Sequence, residues 1–152
     1  MLFLLFRLDQ DRYALPARDV VEVLPLLRLK RWPQAAAGVA GVCSYRGLPL
    51  PVLDLCALCL GRAAAARMST RLLVVDLFGR RLGLIVEEAT DAADLDPGAF
   101  ADPGLRADGA PFLGPVARHA GGLLQRVELA KLLPETLHAT LFVDAEALWA
   151  TS

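Results

Sequence analysis

The sequence predicts a mainly-β protein assembled as small barrels or a sandwich. Short apolar runs recur along the chain, separated by Gly, Pro and Asp punctuation. Residues 70–78 and 80–86 carry the clearest hairpin pattern, with Gly79 at the turn. No series of helical segments alternates with the strands, which argues against a βαβ enzyme.

Each element follows from local chemistry. Residues 2–8 form a short apolar strand, residues 9–11 a polar turn, and residues 12–16 the answering strand. Residues 18–30 read as a strand that bends or lies at an edge near Pro25. In residues 35–42, Gly38 and Gly41 oppose the helix that the alanines favour, so this stretch is expected to turn into a strand over 41–46. Arg46-Gly47 is the next turn, and residues 48–53 a strand whose two prolines leave some backbone unpaired. Asp54 is placed to N-cap a short helix over 55–60, ended by Gly61. In the hairpin over 70–86, Leu72, Val74 and Asp76 share one face, and Leu73, Val75 and Leu77 the other. Residues 87–109 read as an acidic loop with Asp-Pro-Gly turns at 96–98 and 102–104. Residues 112–118 and 123–127 form a last hairpin, and residues 128–133 a helical turn stopped by Pro134. The tail from 134 to 152 spaces Leu137, Leu141, Ala145 and Leu148 as a helix would, though residues 140–143 also suit a strand. No internal repeat with a sharp period is visible.

With 152 residues, 55% of them apolar and 22% charged, the chain suits one ordinary domain with a real core. The mean hydropathy of +0.44 raises the possibility of a membrane protein. The longest stretch without a charged side chain is the 14 residues 32–45, short of the roughly 18–20 that span a bilayer. The apolar start is short and precedes Arg7, so neither a secretory signal nor direct membrane insertion is expected, and the expected location is cytoplasmic. Three cysteines fit reduced thiols. The net charge of −1 disfavours a nucleic-acid binder, yet residues 1–81 hold twelve Lys or Arg against six Asp or Glu, and residues 82–152 four against eleven.

Catalytic signatures are missing. The sequence holds no GxGxxG, no GxxxxGK[ST] and no GxSxG. The CxxC of Cys56 and Cys59 lacks a second ligand pair, and His119 and His138 lack metal-ligand spacing, so no metal or cofactor is expected. Glu87 and Glu88 are adjacent and point to opposite faces of a strand, where they read as a solvated strand end. The expectation is a non-enzyme.

Residues 41–55, Gly-Val-Cys-Ser-Tyr-Arg-Gly-Leu-Pro-Leu-Pro-Val-Leu-Asp-Leu, carry the distinctive motif. Arg46-Gly47 and the Pro-Val-Leu-Asp-Leu of 51–55 resemble the signature of the CheW family, the coupling proteins of bacterial chemosensory arrays; Ser44-Tyr45 stands where Asn-Leu is common. The opening hairpin, the Val-x-Glu segment at 20–23, the central hairpin and the Gly-Gly-Leu-Leu of 121–124 follow in the family's order, so the resemblance covers residues 2–133. It implies two five-stranded SH3/OB-like β-barrels side by side with short helices, in one domain over 1–133; the tail over 134–152, beyond the family pattern, is expected from its apolar spacing to be helical and docked. It implies a non-catalytic adaptor, recruited to membrane-associated arrays, that joins a chemoreceptor's cytoplasmic tip to a CheA-type histidine autokinase through the kinase's CheW-like regulatory domain. The pathway would be chemotaxis or a related motility or surface-sensing system. The resemblance aligns Glu22 and Arg46 with an acid and an arginine of the receptor-facing surface. Strand period and turn position add the expectation that the two approach within ion-pair distance, beside a groove that includes Val20. Gly47 and Asp54 are expected as the turn and cap residues. The alternative is a free-standing OB- or SH3-like module binding a ligand or nucleic acid, which salt-dependent retention on nucleic acid would favour.

Overall fold

The computed structural model describes residues 1–33, 35, 38–102, 111–132 and 135–150. The strands are β1 (Leu2–Leu8), β2 (Asp11–Pro16), β3 (Val20–Pro25), β4 (Val39–Tyr45), β5 (Leu48–Asp54), β6 (Arg71–Leu77), β7 (Arg80–Val86), β8 (Glu88–Asp94), β9 (Leu113–His119) and β10 (Gly122–Val127). Helix α1 (Leu55–Leu60) follows β5, and helix α2 (Glu135–Ala150) ends the chain; short 3-10 turns lie at Ala17–Asp19, Pro97–Ala99 and Leu129–Lys131. The strands form two five-stranded sheets, ordered β8-β1-β2-β10-β9 and β3-β6-β7-β5-β4. A bridge between Lys30 and Val42 carries the chain leaving β3 onto β4 and curls the second sheet into a barrel; Ala101 and Val116 do the same from β8 to β9 in the first. The Lys30 bridge needs a glycine: a Cβ on Gly41 would lie 2.4 Å from the Lys30 carbonyl oxygen.

One backbone plan is used twice. Taken in the order β8, β9, β10, β1, β2, the first barrel matches β3, β4, β5, β6, β7 of the second strand for strand. Both close through one parallel pair, β10 with β2 and β5 with β7. The turn Arg46-Gly47, with φ of 50° and 80°, matches Ala120-Gly121 at 50° and 79°. Asp54 N–H donates to the Gly38 carbonyl, and Glu128 N–H to that of Phe112. Because the first barrel takes its strands from both ends of the chain, the duplication leaves no period along the sequence.

Three apolar clusters result. Phe3, Leu5, Ala14, Phe100, Ala117 and Leu124 fill the first barrel. Cys43, Tyr45, Leu50, Val52, Leu72, Val74 and Ile85 fill the second. Between the barrels lies a shared core in which Phe6, Leu8, Tyr13 and Leu15 meet Leu53, Leu73, Val75, Leu82, Leu84 and Val86. Strands β1, β2, β6 and β7 are therefore buried on both faces and read as near-continuous apolar runs. That accounts for the high hydropathy; no helix among the described residues is long and apolar enough to cross a membrane.

The structure departs from the sequence reading at several elements. Residues 88–94, read as loop, are strand β8. Their local β propensity is poor, and antiparallel pairing with β1 overrides it. Strand β3 ends at Pro25, so residues 26–29 leave the ladder before the bridge at Lys30. The tail is helical over Glu135–Ala150, with Leu141 and Ala145 buried, and the strand alternative for residues 140–143 is not adopted. Of the two Asp-Pro-Gly turns, that at 96–98 is capped by the Asp96 carboxylate, which accepts from Gly98 N–H at 2.9 Å; Pro103 and Gly104 of the other lie outside the described residues. The prolines of β5 sit where they cost no ladder bond: β5 pairs with β7 only over Val52–Asp54, beyond Pro49 and Pro51.

Glu87 is the largest correction among single residues. It is not a solvated strand end. Its carboxylate is buried and takes four donors: Asp9 N–H at 2.6 Å and Arg62 Nη2 at 2.9 Å on one oxygen, Arg62 Nη1 at 3.1 Å and Ala65 N–H at 2.9 Å on the other. Glu88 beside it is exposed, as the opposed-face reading required. Glu87 thus ties the β1–β2 turn to the connector after α1. Asp54 ties down the same connector, accepting from Cys56 and Ala57 at the start of α1 and from Ala64 at 2.8 Å.

The Arg62 guanidinium, with the two backbone N–H groups, holds the Glu87 carboxyl down at about 2 against its ordinary 4.5. A carboxyl depressed by folding stabilises the protein fully above its unfolded value and loses that contribution as pH falls toward the folded one. Stability should therefore drop between about pH 4.5 and pH 2. Glu87→Gln should cost about 3 kcal/mol at pH 7 and flatten that acid limb, as read by urea unfolding across the range. An unchanged limb would show that Glu87 does not carry it.

Candidate functional site

The β4–β5 turn brings together the residues that the sequence singled out. Arg46 and Gly47 both take left-handed backbone, the conformation that a two-residue hairpin turn requires to match strand twist. Nothing lies within 4 Å of a Cβ built on Gly47, so backbone freedom and not crowding sets that residue. The turn carries Arg46 to the rim of the second barrel, where its Nη2 lies 3.2 Å from Glu22 Oε1. Tyr45 donates its hydroxyl to the same oxygen at 2.6 Å. Both the Arg46 and Arg81 guanidinium carbons lie over the Tyr45 ring, 5.2 and 5.6 Å from its centre. Arg81 also approaches Asp76 at 3.9 Å.

These contacts set the charge state. The Tyr45 hydrogen bond, and after it the Arg46 charge, holds the Glu22 carboxyl below its ordinary 4.5 against the opposing effect of desolvation. Donation to Glu22 pushes the Tyr45 hydroxyl above 10. Glu22 is therefore anionic at neutral pH. The Arg46 side chain is 64% exposed and that of Glu22 37%, so the pair presents charge to solvent and is no core strut.

Val20 is not on the Glu22 face. The register of β3 against β6 shifts between Val20, opposite Val75, and Glu22, opposite Val74. Val21 is the extra residue of a β-bulge, which breaks the two-residue period from which a common face was expected. Val20 packs toward the shared core, while Val21 joins the interior of the second barrel. Exposed apolar area near the charges comes instead from Leu48, paired with Tyr45; Val23 is also exposed but, as the neighbour of Glu22 along β3, points to the other face. A cleft of about 440 Å³ between the barrels shares Asp76 as a wall and exposes Phe78 above Leu77, Val127 and Leu129.

Tyr45 and Arg81 are the members of this cluster that the sequence reading missed. Tyr45 offered a signal, a hydroxyl at a motif position where leucine is common; Arg81 offered none, since its place depends on how the barrel closes. Gly47 and Asp54 take the turn and cap positions expected of them.

The chemistry available is recognition. Burial pushes the Cys56 thiol up to about 12 and that of Cys59 to about 11, which leaves both protonated and poorly nucleophilic. Among the described residues, no group of three or more His, Cys, Asp or Glu side chains is placed to hold a metal.

Known proteins share the fold. The chain matches the CheW-like domain family over residues 2–137. It is 32% identical over 110 residues to Protein PilI of Pseudomonas aeruginosa, an alignment spanning 71% of this chain and 62% of PilI. The chain thus spans less than two thirds of that relative. The crystal structure of the scaffolding protein TtCheW from Thermoanaerobacter tengcongensis superposes with a TM-score of 0.78 at 22% identity, covering 86% of each chain, and shares the fold.

Tyr45→Phe should raise the Glu22 titration midpoint toward its ordinary value, measured by NMR on the side-chain carboxyl. Arg46→Ala, which removes both a charge and a hydrogen bond, should move it the same way. A midpoint untouched by Tyr45→Phe would remove the hydroxyl as the main cause.

Proposed function

The chain belongs to the CheW-like domain family, whose members are non-catalytic scaffold proteins of chemosensory signalling, and from that premise we propose that it couples a chemoreceptor's cytoplasmic tip to a CheA-type histidine autokinase. The receptor meets the rim of the second barrel. Glu22, Tyr45 and Arg46 orient a receptor helix there, and apolar area from Leu48 and the neighbouring cleft supplies affinity. The kinase is engaged through its CheW-like regulatory domain, and the complex gathers at membrane-associated receptor arrays.

The observation that supports this reading is an exposed arginine at a turn tip, bonded to the Glu22 carboxylate that the Tyr45 hydroxyl also holds ionised. Its left-handed backbone is common to the turn tips at Phe78 and Ala120, so the exposed side chain and its partner, and not the turn, suit recognition.

Arg46→Ala should fold with a Tm within about 2 °C of the parent, as expected for an exposed pair. In a reconstituted mixture of receptor, kinase and this protein, it should lose most receptor-dependent kinase activation. Unfolding of the variant would make Arg46 a structural residue, and wild-type coupling would place the receptor surface elsewhere.

A further inference from the structure

The tip of the β6–β7 hairpin serves both the cleft and the rim. Phe78, in its left-handed turn, stands at the cleft, and Arg81 lies over the Tyr45 ring at the rim. That tip overhangs the sheet. Among the described residues, β7 pairs with β5 only over residues 83–85, so residues 80–82 are laddered to β6 alone. A hairpin end with a single neighbouring strand frays unless another contact holds it.

Helix α2 supplies that contact. It packs against β5 on the outside of the second barrel, with Leu141 and Ala145 buried. Lys30 Nζ donates to its Leu148 carbonyl at 2.7 Å and fixes the last turn. Beside Leu141, the Phe142 ring faces the Arg80 guanidinium, whose carbon lies 5.3 Å from the ring centre. Arg80 Nη1 is buried and meets no hydrogen-bond acceptor among the described residues. With no acceptor to fix that nitrogen, the aromatic face seats the side chain. Arg80 and Arg81 are consecutive on β7 and point to opposite faces. One short piece of backbone is thus gripped from outside the barrel and delivers a cation to its mouth.

We propose that Phe142 is a positioning residue for the rim: by seating Arg80, helix α2 holds the β6–β7 tip and so keeps Arg81 over Tyr45. The consequence for receptor coupling rests on the function proposed above; the consequence for Arg81 does not.

NMR on the full chain reads the seat of Arg81 through the ring-current shift of its Nε–H. Tyr45→Leu marks where that signal lies without the ring. Phe142→Ala should move it at least halfway to the mark. Phe142→Leu, which keeps an apolar side chain on α2, should do the same, and Phe142→Tyr, which keeps the ring, should leave it in place. An unmoved signal in the Ala and Leu variants, even with stability lost, would make the contact structural only and overturn the proposal. Should neither variant fold, the parent decides. Its Arg80 Nε–H should be ordered, with an order parameter above about 0.6, and a freely moving one would overturn the proposal. In the mixture of receptor, kinase and this protein, Phe142→Ala should lower receptor-dependent kinase activation at least threefold. If Arg46→Ala loses activation and Phe142→Ala does not, the positioning role is overturned. If neither loses it, the receptor rim is what fails, and the Arg81 shift still tests the brace.

Discussion

The shared core between the barrels is the constraint on which the rest of the structure depends. Each barrel alone has a small interior, about six or seven buried side chains, and a fully buried Leu, Val or Phe contributes about 1.5–3 kcal/mol. Chains of this size must also offset the conformational entropy of every ordered residue. The shared core adds Phe6, Leu8, Leu15, Leu73, Leu82, Leu84 and Val86, all fully or almost fully buried. Those residues lie on the outer faces of β1, β2, β6 and β7, the faces a solitary barrel would give to water. Neither barrel therefore has a stable solvated form of its own. The rim of one barrel is held in fixed relation to the cleft between them, which is what recognition at that rim requires.

The hairpins of this fold were legible because their signals are local. Phe78-Gly79 and Arg46-Gly47 both place glycine in left-handed backbone, and the runs beside them have the length of strands. Asp54 and Gly61 bracket α1 by chemistry a few residues long. Strand β8 was not legible, because Glu88-Ala-Thr-Asp-Ala-Ala-Asp becomes a strand only when β1 offers its edge. The bulge at Val21 was equally hidden: nothing in Val-Val-Glu-Val marks an extra residue, and its consequence, Val20 turned from the Glu22 face, follows from pairing with β6. Glu87 was misread for the same reason. Its four donors come from residues 9, 62 and 65, none of them near it in sequence.

Of the rim cluster, the two charged members were legible and the residue that organises them was not. Glu22 and Arg46 were singled out by the family resemblance, and their positions on a strand and at a turn added the expectation of an ion pair. Tyr45 lies inside the barrel with its hydroxyl at the mouth, and its hydrogen bond is the largest single cause holding the Glu22 carboxyl down. A hydrogen bond from a half-fixed phenol orients a carboxylate more tightly than an exposed ion pair can, since the pair alone is weak and screened by salt.

The duplicated backbone shows how such a site arises without any new fold. The positions of Tyr45, Arg46 and Arg81 in the second barrel correspond to His119, Ala120 and Arg12 in the first. There Arg12 bonds to the His119 carbonyl and approaches its Nδ1 at 3.2 Å. With alanine at the turn tip and the arginine drawn down onto the backbone, the first rim spends its guanidinium on its own turn. The second rim projects one guanidinium outward and keeps another over the tyrosine ring. Strand order, turn geometry and closing bridge are the same in both, so the difference between the first rim and the rim proposed for recognition lies in two side chains, Tyr45 and Arg46 against His119 and Ala120, in the course of the arginine both share, and in the carboxylate of Glu22.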